Sequence, residues 1–224
     1  MTAPEPFTRS DRAPRATRTL ALVHGGSYFH LQTLKDPAVL AYQPEFFYLA
    51  DLEDGDLDGI DTLIVADRLH PDLVRRHARQ FIAVAERGGT LVVLGENSVH
   101  TWLPGVIWEP RPTNFWWRLT GEDPMIRTRS PEHESWKYLT TKSVIWHHHG
   151  LLRTEADVVP LLVSEEPDES GQAHDAGMML YEDTVTTSGR IIATTLDPTY
   201  HHGSNFMPGS TRFLYALLRW IDNT

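Results

Sequence analysis

The chain has 224 residues, a net charge of −10, 41% hydrophobic and 22% charged residues, and no cysteine. That size suits one α/β domain with a full core, and the missing cysteines exclude disulfides, thiolate metal sites and a cysteine nucleophile together. Residues 1–18 carry four arginines against two acids, so the remainder is more acidic than the whole; this argues against nucleic-acid binding, which relies on clustered Lys and Arg.

Residues 1–18 are rich in Pro, Thr and Arg, lack the apolar stretch of a signal peptide, and are expected as a disordered tail before a single domain at 19–224. No run approaches the roughly 18 apolar residues of a membrane span. The expectation is a cytoplasmic protein without a membrane partner.

Thr19-Leu20-Ala21-Leu22-Val23 is a continuous apolar run that ends in His24-Gly25-Gly26-Ser27. Such a run fits a strand buried on both faces, as in a parallel sheet. Residues 28–40 have helical spacing interrupted at Pro37. Residues 46–50 read as a second strand and 61–66 as a third, which ends at Asp67-Arg68. From Pro71, a suitable first helical residue, Leu73, Val74, His77, Phe81, Ile82 and Ala85 recur at three and four and make one apolar helix face. Gly88-Gly89 stops that helix, and Thr90–Leu94 forms the fourth strand before Gly95-Glu96-Asn97-Ser98. Strand, helix and strand at these spacings imply right-handed crossovers in a mainly parallel sheet.

Residues 101–149 hold six of the seven tryptophans and no clear helical period, so this stretch reads as an irregular insertion with short strands at 114–120 and 137–146. Strands at 158–164, 177–181 and 190–195 suggest an antiparallel extension, and 210–221 a closing helix packed on the sheet.

The order of strands, the turn after the fourth and the final Asp197-Pro198 loop resemble the class I glutamine amidotransferase-like superfamily. The resemblance implies a flavodoxin-like, doubly wound α/β fold with helices on both faces. His24-Gly25-Gly26, the block from His77 to Leu94 and the tail Gly189–Leu196 are most similar to its trehalose-utilisation (ThuA-like) branch, which implies a carbohydrate-related role. Working glutaminases of the superfamily carry G-x-C-x-G at the turn, where this chain reads Gly95-Glu96-Asn97-Ser98-Val99. Asp197-Pro198-Thr199 stands where the family has H-P-E, and Asp67-Arg68 replaces its oxyanion-hole glycines. Loss of a nucleophile alone costs about a million-fold in rate, so glutamine hydrolysis is excluded.

In open α/β sheets ligands bind at the carboxyl ends of the strands. That rule nominates Glu96, His24 and Asp67 as catalytic candidates and Asn97, Ser98, Arg68, His149, Asp197, Tyr200 and His201 as ligand contacts. Asn and Ser at such a turn equally serve as caps, and the glycines after His24 equally serve a tight turn. Glycoside chemistry needs two carboxyl groups about 5–10 Å apart, which leaves Glu96 with Asp67 or Asp197. The expected partner is a small polar molecule such as a sugar, with no cofactor and a homo-oligomer as an option. Two other readings stand beside this one. The Trp-rich insertion can serve as a non-catalytic assembly surface or as core rather than stack on sugars. His147, His149, His201 and His202 can serve a divalent metal, since alternate residues of an extended chain share a face and Glu96 or Asp197 can complete the set. Glu132, His133 and Glu134 read as a solvated turn.

Overall fold

The computed structural model describes residues 18–112 and 117–224. The tail expected at 1–18, Arg18 apart, lies outside the described residues, as do Trp116 and the first part of the strand expected at 114–120.

The chain opens with β1 (Leu20–His24), α1 (Tyr28–Lys35) and α2 (Pro37–Leu40). The break between the helices has a local cause. Asp36, which precedes proline, is extended (φ −65°, ψ 125°), and its carboxylate accepts the Ala38 N–H at 2.7 Å to start α2. β2 (Glu45–Tyr48) ends earlier than expected because Leu49–Asp51 winds into a 3-10 turn. β3 (Thr62–Val65), α3 (Pro71–Glu86) and β4 (Thr90–Leu94) follow. The helix buries Val74, His77, Phe81, Val84 and Ala85, essentially the face read from periodicity.

The middle of the chain departs from expectation. It contributes β5 (Val106–Pro110), α4 (Trp117–Thr120), β6 (Ile126–Thr128), α5 (Thr141–Val144) and β7 (Gly150–Thr154). The residues expected as strands at 117–120 and 141–144 are helical, and a Thr140/Ser143 capping box starts α5. β8 (Val159–Pro167), β9 (Ala173–Asp183), β10 (Arg190–Thr194), α6 (Pro198–Gly203) and α7 (Pro208–Asp222) complete the chain.

Among the described residues the fold is mixed α/β on one ten-stranded sheet, ordered β2-β1-β3-β4-β10-β9-β7-β5, with β8 on β9 and β6 on β8. The first five strands of that order are parallel, and every pairing beyond β10 is antiparallel. β4 is buried along its whole length between β3 and β10. Its register with them brings the chain after each strand, at Asp67, Gly95 and Asp197, to the same level. Gly95 (φ +56°) has no room for a side chain, since a Cβ there would lie 2.7 Å from that of Asp67 and 2.6 Å from that of Asp197. The glycine is what lets two carboxylate-bearing turns close over the end of the central strand.

α3 packs on β3 and β4, while α1, α2, α5, α6 and α7 form a second group in mutual contact. In that group α6 lies so close to α1 that a Cβ on Gly203 would overlap the carbonyl oxygen of Phe29. Gly203→Ala is expected to cost about 1–3 kcal/mol as overpacking, read as a lower denaturation midpoint; an unchanged midpoint would contradict this docking. Among the described residues no helix is long and apolar enough to cross a membrane.

Candidate functional site

The turns after β1, β3, β4 and β10 meet at one end of the sheet. Two of them are tied together through Asn97. Its Oδ1 accepts the Leu69 N–H at 3.1 Å, and its Nδ2 donates to the carbonyls of Ala66 and, at 3.0 Å, Leu94. Its own carbonyl accepts the Trp102 indole N–H at 3.0 Å. Asn97 is fully buried, so its expected ligand contact is corrected to a backbone staple. Ser98 takes a left-handed φ of 49° to start the 3-10 turn Val99–Thr101, and its carbonyl receives Thr101.

Asp67 is likewise not an accessible catalytic acid. It is 0% exposed, and its oxygens accept the N–H groups of Thr199 and Tyr200, at 2.8 and 3.1 Å, in the first turn of α6. A carboxylate from one strand thus caps a helix that follows another. Burial, with the nearby Asp197 charge, pushes its pKa up to about 7.

Arg68 (φ +55°) is the centre of the polar network. Its guanidinium donates to Asp197 Oδ2 at 2.9 and 2.6 Å, lies 3.2 Å from His149 Nε2 and 3.3 Å from Glu96, and stacks 4.1 Å over the Tyr200 ring. The sequence-nominated Arg68, Glu96, His149, Asp197, Tyr200 and His201 are therefore together. Glu96 is the open member, its side chain 42% exposed. Burial alone would raise the Asp197 pKa, but His201 and Arg68 outweigh it and hold the group below the usual carboxylate range.

Asp197 and His201, four residues apart, put Oδ1 and Nε2 at 2.9 Å. The two buried atoms are not aligned for a hydrogen bond, and neither has another partner. His147 and His149 reach the same spot from the stretch between α5 and β7, with the His147 ring 4.5 Å from that of His201 and 5.3 Å from that of His149. One ligand atom from each of His147, His149, Asp197 and His201 lies within 4.8 Å of all the others. Burial, then the neighbouring His201, drives the His147 pKa down to about 3. His148, between the two, points elsewhere and donates from Nδ1 to the Gly150 carbonyl at 3.0 Å. His202 is corrected out of the metal candidates, because its ring nitrogens engage Asp36 at 3.1 Å and Thr211 at 2.9 Å.

Beside this network lies a cleft of about 400 Å³ lined by Gly25, Ser27, His30, Tyr48, Arg68 and His70, among others. His24 is 8% exposed, accepts the Gly26 N–H on Nδ1 and packs on Tyr48, outside that lining; the histidine in the lining is His30. There Nδ1 accepts from Gly25 N–H at 3.2 Å and from the Ser27 hydroxyl at 2.7 Å, so Nε2 carries the hydrogen and donates to the Asp67 carbonyl at 2.9 Å. Burial lowers its pKa to about 4, which keeps it neutral. Ser27-x-x-His30 at a helix start was the available signal.

Trp102, Trp136 and Trp146 spend their indole N–H groups on backbone carbonyls, which assigns them to the core rather than to sugar stacking. His133 bonds Glu182 at 2.8 Å and Ser135 at 2.9 Å, so it is no solvated turn.

No protein-family model matches the chain, and no curated protein sequence matches it. Among solved structures, alpha-L-fucosidase isoenzyme 2 from Paenibacillus thiaminolyticus matches with a TM-score of 0.50 and 12% identity, over 91% of this chain and 33% of that one. The likeness is one of fold. Exo-beta-1,4-mannosidase Op5Man5 from Opitutaceae bacterium strain TAV5 gives 0.46 and 14% over 91% and 36%. The chain spans about a third of the length of each.

Proposed function

We propose that this chain is a Cys-less, amidotransferase-like domain of flavodoxin-like topology that binds a small hydroxyl-rich ligand of the carbohydrate class. The five parallel strands, counted in chain order, lie as 2-1-3-4-5, the flavodoxin-like arrangement. The steps from β1 to β2 and from β3 to β4 run in opposite directions across the sheet, so right-handed crossovers put α1 and α3 on opposite faces.

The observation that carries the ligand reading is the position of the cleft. Its walls come from the turns after β1, β2 and β3, at the point where the strand order reverses, which is where such sheets bind ligands. Tyr48 offers a half-exposed ring, and Ser27, Arg68 and His70 offer polar groups around it, a lining suited to a sugar's apolar face and hydroxyl rim. The fucosidase that shares the fold acts, by its name, on the same class of molecule.

Binding rather than glycoside cleavage is favoured by the carboxylates. Asp67 and Asp197 are buried and committed to α6 and Arg68, so Glu96 has no open carboxyl partner among the pair candidates. Titration calorimetry with a panel of mono- and disaccharides, aldose and ketose, is expected to show binding that weakens at least about tenfold in Tyr48→Ala, the loss of one stacking contact of about 1.4 kcal/mol. Absence of heat across the panel, or equal affinity in the variant, would overturn the reading.

A further inference from the structure

We propose that His147, His149, Asp197 and His201 form the binding site of one divalent first-row transition-metal ion, of the zinc type. The four residues come from two parts of the chain: His147 and His149 from the stretch between α5 and β7, and Asp197 with His201, four residues apart, from the start of α6. Nothing local requires the two pairs to meet. In a tetrahedral site with bonds of about 2.0–2.1 Å, any two ligand atoms lie about 3.3 Å apart. Here one ligand atom from each residue lies within 4.8 Å of all the others, a spacing that small side-chain rotations close onto one ion, and Asp197 Oδ1 is 2.9 Å from His201 Nε2.

That pair is the decisive contact. Both atoms are buried, face each other, and lack the alignment for a hydrogen bond. Buried polar atoms are nearly always satisfied. A cation held by both takes a lone pair from each and satisfies the two atoms together. The donor set, three imidazoles and one carboxylate, suits zinc and its neighbours and not calcium or magnesium, which take oxygen ligands.

Arg68 and aromatic rings pack around the ligands and limit their rotation. Arg68 takes Asp197 Oδ2 with two N–H bonds and leaves Oδ1 to point at His201. Trp146 packs edge-on against both His147 and His201, at 5.8 and 5.5 Å, and Phe206 lies 4.7 Å from His201. The charge also fits. Glu96 and Asp197 both pair with the guanidinium of Arg68, two carboxylates on one cation, a balance that a bound metal ion shifts towards neutrality. His149 is the more exposed ligand, its side chain 22% accessible, and is the side from which an ion enters.

The proposal stands apart from the sugar reading, since its test uses metal alone. Untagged full-length protein is stripped with a chelator and titrated with cobalt(II). The expected result is about one equivalent bound per chain with a visible d–d spectrum of a nitrogen-rich site, displaced by an equivalent of zinc. His149→Gln, on the exposed side, is expected to weaken binding at least about 100-fold while circular dichroism stays unchanged, and His202→Gln, next to a ligand but outside the set, is expected to leave it intact. Less than about 0.2 equivalent of tight cobalt, or equal affinity in His149→Gln and the parent, would overturn the proposal. Should His149→Gln fail to fold, the stoichiometry and spectrum of the parent still decide.

Discussion

Acidification of the chelator-treated protein from pH 7 to pH 5 is expected to destabilise the fold by about 2 kcal/mol for each of His30, His147 and His148. Burial holds these imidazoles at about 4, 3 and 4, below the usual 6.5. The unfolded chain takes up protons as the pH falls past 6.5, whereas the folded chain cannot until about 4. Their contribution is therefore complete above 6.5 and lost between there and the folded values. Asp67 works in the opposite sense. Its carboxyl, raised to about 7, binds a proton in the folded state first, so it adds stability as the pH falls from 7 towards 4 and offsets about one histidine. The net loss at pH 5 is on the order of 4 kcal/mol. Chemical denaturation at the two pH values measures it, and His30→Gln should show a shallower dependence. A midpoint that holds steady or rises on acidification would mean that these rings are not buried and neutral.

Asn97→Asp, a change of a single group, is expected to be as damaging. The native amide donates to two carbonyls and accepts one N–H in a site closed to water. A carboxylate there keeps the acceptor and turns its other oxygen, with a charge, onto the carbonyls of Ala66 and Leu94. Unsatisfied buried groups cost about 1–3 kcal/mol each, more when charged, so a loss of about 3–5 kcal/mol follows. For a chain of this size that lowers the melting temperature by about 10 °C. A calorimetric shift of a degree or two would show that the two turns are not stapled through this side chain.

Asn97 also marks what was and was not legible in the sequence. β1, β3, β4 and α3 were readable because their signals are local: apolar runs, a three-and-four periodicity, and glycines that stop a helix. The end of the sheet where a site should lie followed from that alone. Which side chains at that end face outward did not, because Asn97 and Asp67 are turned inward by partners 28 to 132 residues away. Between 101 and 149 the short strands owe their pairing to distant neighbours, such as β6 to β8 and β5 to β7, and carry no pattern of their own. The alternation of His147 and His149 was visible, but their meeting with Asp197 and His201 depends on how α6 is seated. Asp67 and Gly203 do that seating, one from β3 and one against α1.

Arg68 belongs to two neighbourhoods at once. It lines the cleft on one side and holds Asp197 and His149 on the other. A guest in the cleft that draws the guanidinium towards itself withdraws it from both residues, and whatever engages those residues alters the guanidinium offered to the guest. Such linkage is reciprocal by thermodynamic necessity: each occupant changes the affinity of the other by one common factor. If both proposals hold, a single side chain would make the two halves of this sheet end read each other's occupancy.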